Sequence, residues 1–359
     1  MWHARGQVPA RVNARVNARL AVALAAGYGG AMRELTMRVP VDTKLTWQYE
    51  MREPRVLSLY DRAKVSQWNA STDVDWSLEV PFGASIADDS RYSIASFEAS
   101  PIARRGRRMW DVFRWELQAW MVSQFLHGEQ GAMVAAARLA EVAPSLESKS
   151  CAAIQAADEA RHVEVFSRYL HEKLHTIYPV SAALESLLQD ILGDSRWDIT
   201  AVGMQIIVEA LAMAAFRLAD STFHDDLIKE ITRLVARDEA RHVSFGVLSL
   251  QGVYREMSRA EFADREEMVL EAASLTRRRF LLEDVWQRLG IPRAEGAEFA
   301  ATSEMMMRYR QTIFTKVTTA LRNVGLLTDR VRSGLAGLDL LPRGGGEHSL
   351  GSRQNGLIR

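Results

Sequence analysis

Asp158-Glu159-Ala160-Arg161-His162-Val163 returns unchanged 80 positions later as Asp238-Glu239-Ala240-Arg241-His242-Val243. A lone Glu-x-x-His arises easily by chance in 359 residues, but an identical hexapeptide inside two predicted helices does not. Helical positions three apart differ by about 60° and about 4.5 Å of rise. Each Glu–His pair therefore shares a face, and both side chains can reach one centre. Two more acids keep the same period: Glu129 precedes Glu159 by 30 residues, and Glu209 precedes Glu239 by 30. The midpoint of the first pair is Pro144, a helix breaker. That of the second is His224, within Asp220-Ser221-Thr222-Phe223-His224-Asp225. Folding each segment back at its midpoint brings the paired acids level on antiparallel helices.

Glu209 sits in Ile206-Ile207-Val208-Glu209-Ala210-Leu211-Ala212-Met213, where an unpaired carboxylate is costly to bury. Its mid-helix position argues against a side chain reaching out to water; pairing with a buried Arg or Lys stays open as the bland reading. Glu129 is flanked by Gly128 and Gly131, a less apolar setting. For Glu159, His162, Glu239 and His242 the bland reading is surface charge and satisfied core histidines. Four carboxylates carry −4 and two divalent ions +4, so two metals leave a near-neutral cluster in a low-dielectric core; without metal the acids repel and take up protons. Carboxylate and imidazole donors suit iron or manganese, and zinc does no redox chemistry. Asp158 and Asp238 lie four residues before His162 and His242, where a carboxylate can accept the second ring N–H of a ligand histidine, in its own helix or across the bundle. The alternative is a solvent-exposed ion pair with Arg161 or Arg241 at i,i+3.

Outward from the repeat the pattern is helical, with Pro and Gly punctuating long amphipathic runs. The spacing predicts helices over about 105–142, 146–175, 181–193, 197–221, 225–257, 260–288 and 303–325. Residues 40–100, with Trp47, Trp68 and Trp76, read as short helices and loops over a bundle end. The expected organisation is an extension at 1–36, an irregular and helical region at 37–104, a di-metal four-helix bundle at 105–257, packed helices at 258–340 and a disordered tail at 341–359. The first 36 residues are Arg- and Ala-rich, with no acid before Glu34. They read as an organellar transit peptide, a disordered extension, or translation from upstream of a true start at Met32 or Met37. Phe125, Met133, Phe166, Met213 and Phe216 fall one or two helical turns from the acids and are candidate pocket residues or ordinary core. Met305-Met306-Met307 reads as helix packing.

Lys plus Arg and Asp plus Glu are equal at 45 each, so no global field favours nucleic acid or an anionic membrane. The single cysteine, Cys151, rules out an internal disulfide and a four-cysteine metal site. It fits the reducing cytoplasm and means that electrons come from a separate reductase. No apolar stretch was expected to reach the roughly 18–20 residues that cross a bilayer.

The paired Glu…Asp-Glu-x-Arg-His pattern, over residues 105–257, resembles the ferritin-like di-iron superfamily. That group includes ribonucleotide reductase small subunits, acyl carrier protein desaturases, multicomponent monooxygenases, p-aminobenzoate N-oxygenase and the aerobic cyclase of chlorophyll synthesis. The resemblance implies an all-α, ferritin-like four-helix bundle with additional N- and C-terminal helices. It also implies Glu129, Glu159, His162, Glu209, Glu239 and His242 as ligands of two iron ions, or of a Mn/Fe pair. The expected activity is that of an O2-dependent oxygenase or oxidase (hydroxylation, N-oxygenation or desaturation) on a small organic substrate. O2 is then a co-substrate, and electrons come from a ferredoxin or flavin reductase. A homodimer is expected by resemblance alone. Departures set the chain apart: Phe166 stands where reductase small subunits usually have a radical Tyr, Val235 where N-oxygenases have an extra histidine, and Ala212 and Met213 where monooxygenases and desaturases often have Thr. Two other readings are a radical-generating subunit serving a partner enzyme, which an oxidisable Tyr or Trp hydrogen-bonded between metals and surface would favour, and an iron-storage ferroxidase. The chain is longer than a minimal ferritin needs, and the single cysteine disfavours rubrerythrin-like peroxide reduction.

Overall fold

The computed structural model describes residues 34–341, apart from 44, 46, 48, 51, 83–90 and 220–222. The expected extension at 1–36 and tail at 341–359 therefore lie outside the described residues, except for 34–36 and 341. Among the described residues there is no strand, and the fold is all-α. The helices are α1 (Pro54–Val65), α2 (Arg91–Ala99), α3 (Arg107–Val142), α4 (Leu146–Tyr169), α5 (Ala182–Gly193), α6 (Trp197–Arg217), α7 (Asp226–Ser249), α8 (Arg259–Arg279), α9 (Glu283–Arg288), α10 (Arg293–Thr302), α11 (Glu304–Val324) and α12 (Asp329–Gly337).

The helix ends follow local chemistry. α3 stops where Ala143 turns extended ahead of Pro144, as a residue before proline prefers. The Ser145 hydroxyl then accepts from the Ser148 N–H and opens α4. α4 runs into one π-helical turn, Leu170–Leu174, and halts at His175, which is left-handed at φ 50°. The Asp225 carboxylate accepts from the Leu227 and Ile228 N–H groups and starts α7. Ser258 and Glu261 form a reciprocal capping box at the head of α8. The single helix expected over 260–288 is instead two, α8 and α9, separated by Leu282 at φ 56°. α7 ends at Ser249, short of the expected 257, and a 3-10 turn, Val253–Arg255, follows.

α3 packs along α4 and α6 along α7, and the two hairpins face each other through α4 and α7. α1 lies over α4 and α7, α8 over α5 and the middle of α6, and α11 over α6. One aromatic stack, Trp110 to Phe113 at 5.1 Å and Phe113 to Trp286 at 5.0 Å, ties α9 to α3. Fully burying side chains of this size stabilises by roughly 1.5–3 kcal/mol each. α6 corrects the expectation that no stretch is long and apolar enough to cross a membrane: Trp197–Arg217 is, but 94% of its most apolar window is buried inside the protein. It is the core helix of the bundle.

Candidate metal centre

Glu129 comes from α3, Glu159 and His162 from α4, Glu209 from α6, and Glu239 and His242 from α7. All six are buried. They form two overlapping sets of four, Glu129, Glu159, His162, Glu239 and Glu159, Glu209, Glu239, His242, with the donor atoms of each set within 4.8 Å of one another. Glu159 and Glu239 belong to both sets. The structure thus brings together every residue that the repeat singled out, and gives the two motif glutamates a shared, central position.

Each imidazole turns Nδ1 towards the centre. His162 Nδ1 lies 3.0 Å from Glu159, 3.3 Å from Glu129 and 3.4 Å from Glu239. His242 Nδ1 lies 3.0 Å from Glu159 and 3.6 Å from Glu239. The Nε2 atoms point outward, and the aspartates meet them from the opposite hairpin: His162 faces Asp238 at 3.4 Å, and His242 faces Asp158 at 3.2 Å. The Arg161 and Arg241 guanidiniums each bind both aspartates, Arg161 reaching Asp238 at 3.1 Å and Arg241 reaching Asp158 at 3.0 Å. Each aspartate pairs with the arginines and also faces a histidine, and the ion pairs are buried rather than exposed to solvent. A carboxylate behind a ligand imidazole fixes its orientation and raises its basicity.

The donor set fits a pair of cations. Glu209 Oε2, both Glu239 oxygens and His242 Nδ1 are buried and make no aligned hydrogen bond, whereas buried polar atoms are nearly always satisfied. Burial and the neighbouring Glu239 carboxylate push the Glu129 and Glu209 pKa values well up. Burial would also raise Glu159, but His242 and His162 outweigh it and hold that acid well below the usual range. For the histidines burial lowers the pKa, and the facing carboxylates more than reverse it. Without added positive charge, the cluster keeps itself neutral by holding protons; two divalent ions would replace them. Among the described residues no buried Arg or Lys pairs with Glu209. Its Oε1 instead accepts from Gln155 Nε2 at 2.8 Å, and Gln205 Nε2 supports Gln155 at 2.8 Å.

Gln205 lies in a π-helical segment, Val202–Val208, that ends immediately before Glu209. π-segments inside α-helices often mark functional sites. This one brings Gln205 against Gly246 of α7, where a Cβ would stand 2.6 Å from Gln205 Cβ and 2.9 Å from its Oε1. Neither glutamine has a counterpart 80 positions away, but each stands four residues before a cluster glutamate, Gln155 before Glu159 and Gln205 before Glu209, a helical spacing that the repeat argument passed over.

Trp68, in the irregular segment before the bundle, donates from Nε1 to Asp238 Oδ2 at 2.7 Å. Its ring lies 6.4 Å from that of His162, under the Arg161 guanidinium at 4.9 Å. A cavity of about 60 Å³ meets the other side of the cluster, where Glu129, Glu209 and Glu239 line it. Of the expected pocket residues, only Phe125 lines this cavity. Phe166 and Phe216 pack behind it, 5.8 and 4.8 Å from the Phe125 ring; Met213 is buried elsewhere in the core and Met133 is half-buried. Phe166 and Phe216 are buried too; helix spacing places all four near the acids but does not say which flank stays open. Trp120, Arg279, Phe280 and Tyr309 take their place, the last three from α8, its C-terminal end and α11.

A four-helix bundle holding two overlapping carboxylate–histidine sets is thus the class that fold and site define. No protein-family model matches the chain, and no curated protein matches it. Among solved structures the chain is similar to an R2-like ligand-binding oxidase variant with an anaerobically reconstituted Mn/Fe cofactor, at 16% identity and TM-score 0.41, covering 75% of this chain and 92% of that one. It is also similar to an R2-like ligand-binding oxidase with an aerobically reconstituted metal cofactor after photoconversion, at 16% identity and TM-score 0.38, covering 80% and 94%.

Proposed function

We propose that the chain is a di-metal oxidoreductase that uses O2 to oxidise a small organic substrate, with iron at both positions or a Mn/Fe pair. The observation that carries this reading is the sharing of Glu159 and Glu239 between two four-donor sets. Six N/O donors around two centres suit iron or manganese, with no thiolate to favour softer metals. The bound pair would supply the redox and O2 chemistry. The chain contributes the rest. Glu129 and Glu209 hold the outer flanks, Asp158 and Asp238 fix the imidazoles, and a largely apolar cavity opens beside Glu239. Inserting one oxygen atom into a C–H or N–H bond consumes O2, two electrons and two protons and releases one water. With one cysteine and no four-cysteine cluster possible, those electrons come from an external ferredoxin or flavin reductase.

The test is to reconstitute the full chain anaerobically with Fe(II) or Mn(II)/Fe(II), count metals per chain and follow O2 uptake. Two metals per chain and O2 consumption tied to metal content are expected. Fewer than one metal, or no uptake with two irons bound, would overturn the proposal.

One observation favours a second reading, the radical-generating subunit. The contacts Trp68 Nε1 to Asp238 and Asp238 to His162 form a short chain from an oxidisable ring towards the cluster. Electron paramagnetic resonance after O2 exposure separates the two. A stoichiometric tryptophan or tyrosine radical that Trp68→Phe abolishes would favour the second reading, and its absence would favour the first.

A further inference from the structure

The four cluster glutamates differ one helical turn upstream. Gln155 precedes Glu159 and Gln205 precedes Glu209, whereas Phe125 precedes Glu129 and Val235 precedes Glu239. Both glutamines are buried. Gln155 Nε2 donates to Glu209 Oε1 at 2.8 Å and to Glu159 Oε1 at 3.2 Å, and its own Oε1 accepts from Gln205 Nε2 at 2.8 Å. Only one orientation of the Gln155 amide satisfies all three contacts. Turned over, its carbonyl would face two carboxylates and its NH2 group would face that of Gln205. Gln205 is confined in turn by Gly246, where a Cβ would stand 2.9 Å from Gln205 Oε1. Glu129 has no such brace among the described residues. It meets the His162 ring at 3.3 Å, and Gln124 on the same helix is turned away, donating to the Pro179 carbonyl and accepting from the Ser181 N–H.

We infer that Gln155, backed by Gln205, is a positioning residue that pins Glu209 through one oxygen and makes the Glu159–Glu209–Glu239–His242 set the tighter of two unequal metal positions. This rests on the proposed reading of the cluster as a pair of metal positions. An amide that already holds a ligand carboxylate orders it before a cation arrives, so less freedom is lost on binding. With Oε1 engaged, Glu209 Oε2 stays buried without a hydrogen bond and is the oxygen left to meet a cation. Glu129 has to settle into place as its ion binds, so the Glu129–Glu159–His162–Glu239 set takes the second, weaker ion. Gln155 also touches Glu159, which both sets share, but His162 and His242 anchor that acid at 3.0 Å each. Among the described residues Glu209 has Gln155 alone. Loss of the Gln155 amide therefore falls on one position.

The test is titration of the metal-free full chain with Mn(II), followed by electron paramagnetic resonance, because an isolated Mn(II) and a coupled Mn(II) pair give different spectra. One equivalent should give the isolated signal, with the coupled signal growing only on the second, the two affinities differing by about tenfold or more. Gln155→Met, which keeps the length and loses the donors, should weaken the first step by about 10–100-fold and spare the second, so that coupled pairs appear at one equivalent. Gln205→Met, one hydrogen bond further out, should weaken the first step by about three- to tenfold and serves where Gln155→Met does not fold. Glu129→Gln should weaken the second step alone. A role confined to packing would lower the thermal midpoint of the metal-free variants and weaken both steps alike, which would overturn the inference. So would equal affinities in the unaltered chain, or a first step that Glu129→Gln weakens and Gln155→Met leaves intact. Two Mn(II) bound equally would refute this inference and leave the proposed metal centre standing, whereas no Mn(II) bound would refute both.

Discussion

Replacing Asp238 with Asn probes the cross-braced shell at its most connected point. The carboxylate is fully buried, accepts from Trp68 Nε1 at 2.7 Å and Arg241 at 2.8 Å, and faces Arg161 at 3.1 Å and His162 Nε2 at 3.4 Å. Burial alone would raise its pKa, but His162, Arg241 and Trp68 together hold it well below the usual range. The amide keeps the size and one acceptor but turns two guanidiniums facing two carboxylates into two facing one. Removing a partner from a buried ion pair costs about 3–5 kcal/mol. Because Asp158 still binds both arginines, the expected loss lies at the low end, about 3 kcal/mol, on denaturant unfolding of the metal-free chain. A second loss is separable. Without a carboxylate behind His162, metal affinity should fall about 10–100-fold, measured by competition with a chromophoric chelator. A loss under about 1 kcal/mol together with unchanged metal affinity would refute the role given to Asp238. Asp158→Asn should act alike through His242.

Glu239→Gln should lower metal content from two per chain to below one, whereas Glu129→Gln should spare the second position; metal analysis after desalting distinguishes shared from terminal donors. Gly246→Ala should destabilise by about 1–3 kcal/mol in denaturant melts, since its Cβ would stand 2.6 Å from Gln205 Cβ; an unchanged midpoint would mean that α6 yields freely. Cys151 is buried, its thiol donates to the Val56 carbonyl at 3.3 Å, and burial pushes its pKa up to about 12. Ellman's reagent at pH 8 should therefore label it only after unfolding. Because its folded pKa lies above the ordinary 9.0, its contribution to stability is complete below about pH 9 and fades as pH rises towards about 12.

The all-α architecture and the meeting of six side chains were legible because both rest on local rules, the helical period and the position of breakers. Pro144 and Asp225 mark the two reversals, so Glu129 lands beside Glu159 and Glu209 beside Glu239. What was not legible depends on contacts between distant segments. Trp68 reaches Asp238 across 170 positions from a stretch without periodicity. Arg279 sits in the run Arg277-Arg278-Arg279, which reads as the solvated end of a helix. The π-segment at Val202–Val208 spells the same apolar string that an unbroken α-helix would, so the extra residue per turn leaves no mark in residue types. Helix spacing likewise put Phe166 and Phe216 near the acids, but only the placement of α8 and α11 decides that the opening is on the Phe125 side.

The aspartates support histidines that are not their own: Asp158 stands behind His242 and Asp238 behind His162. Such an exchange makes the two halves of the repeat mutually dependent, like the legs of a trestle. Neither hairpin can drift or accept a change at its Asp-Glu-x-x-His without loosening the imidazole that its counterpart offers. The duplicated hexapeptide is therefore a single mechanical unit written in two places.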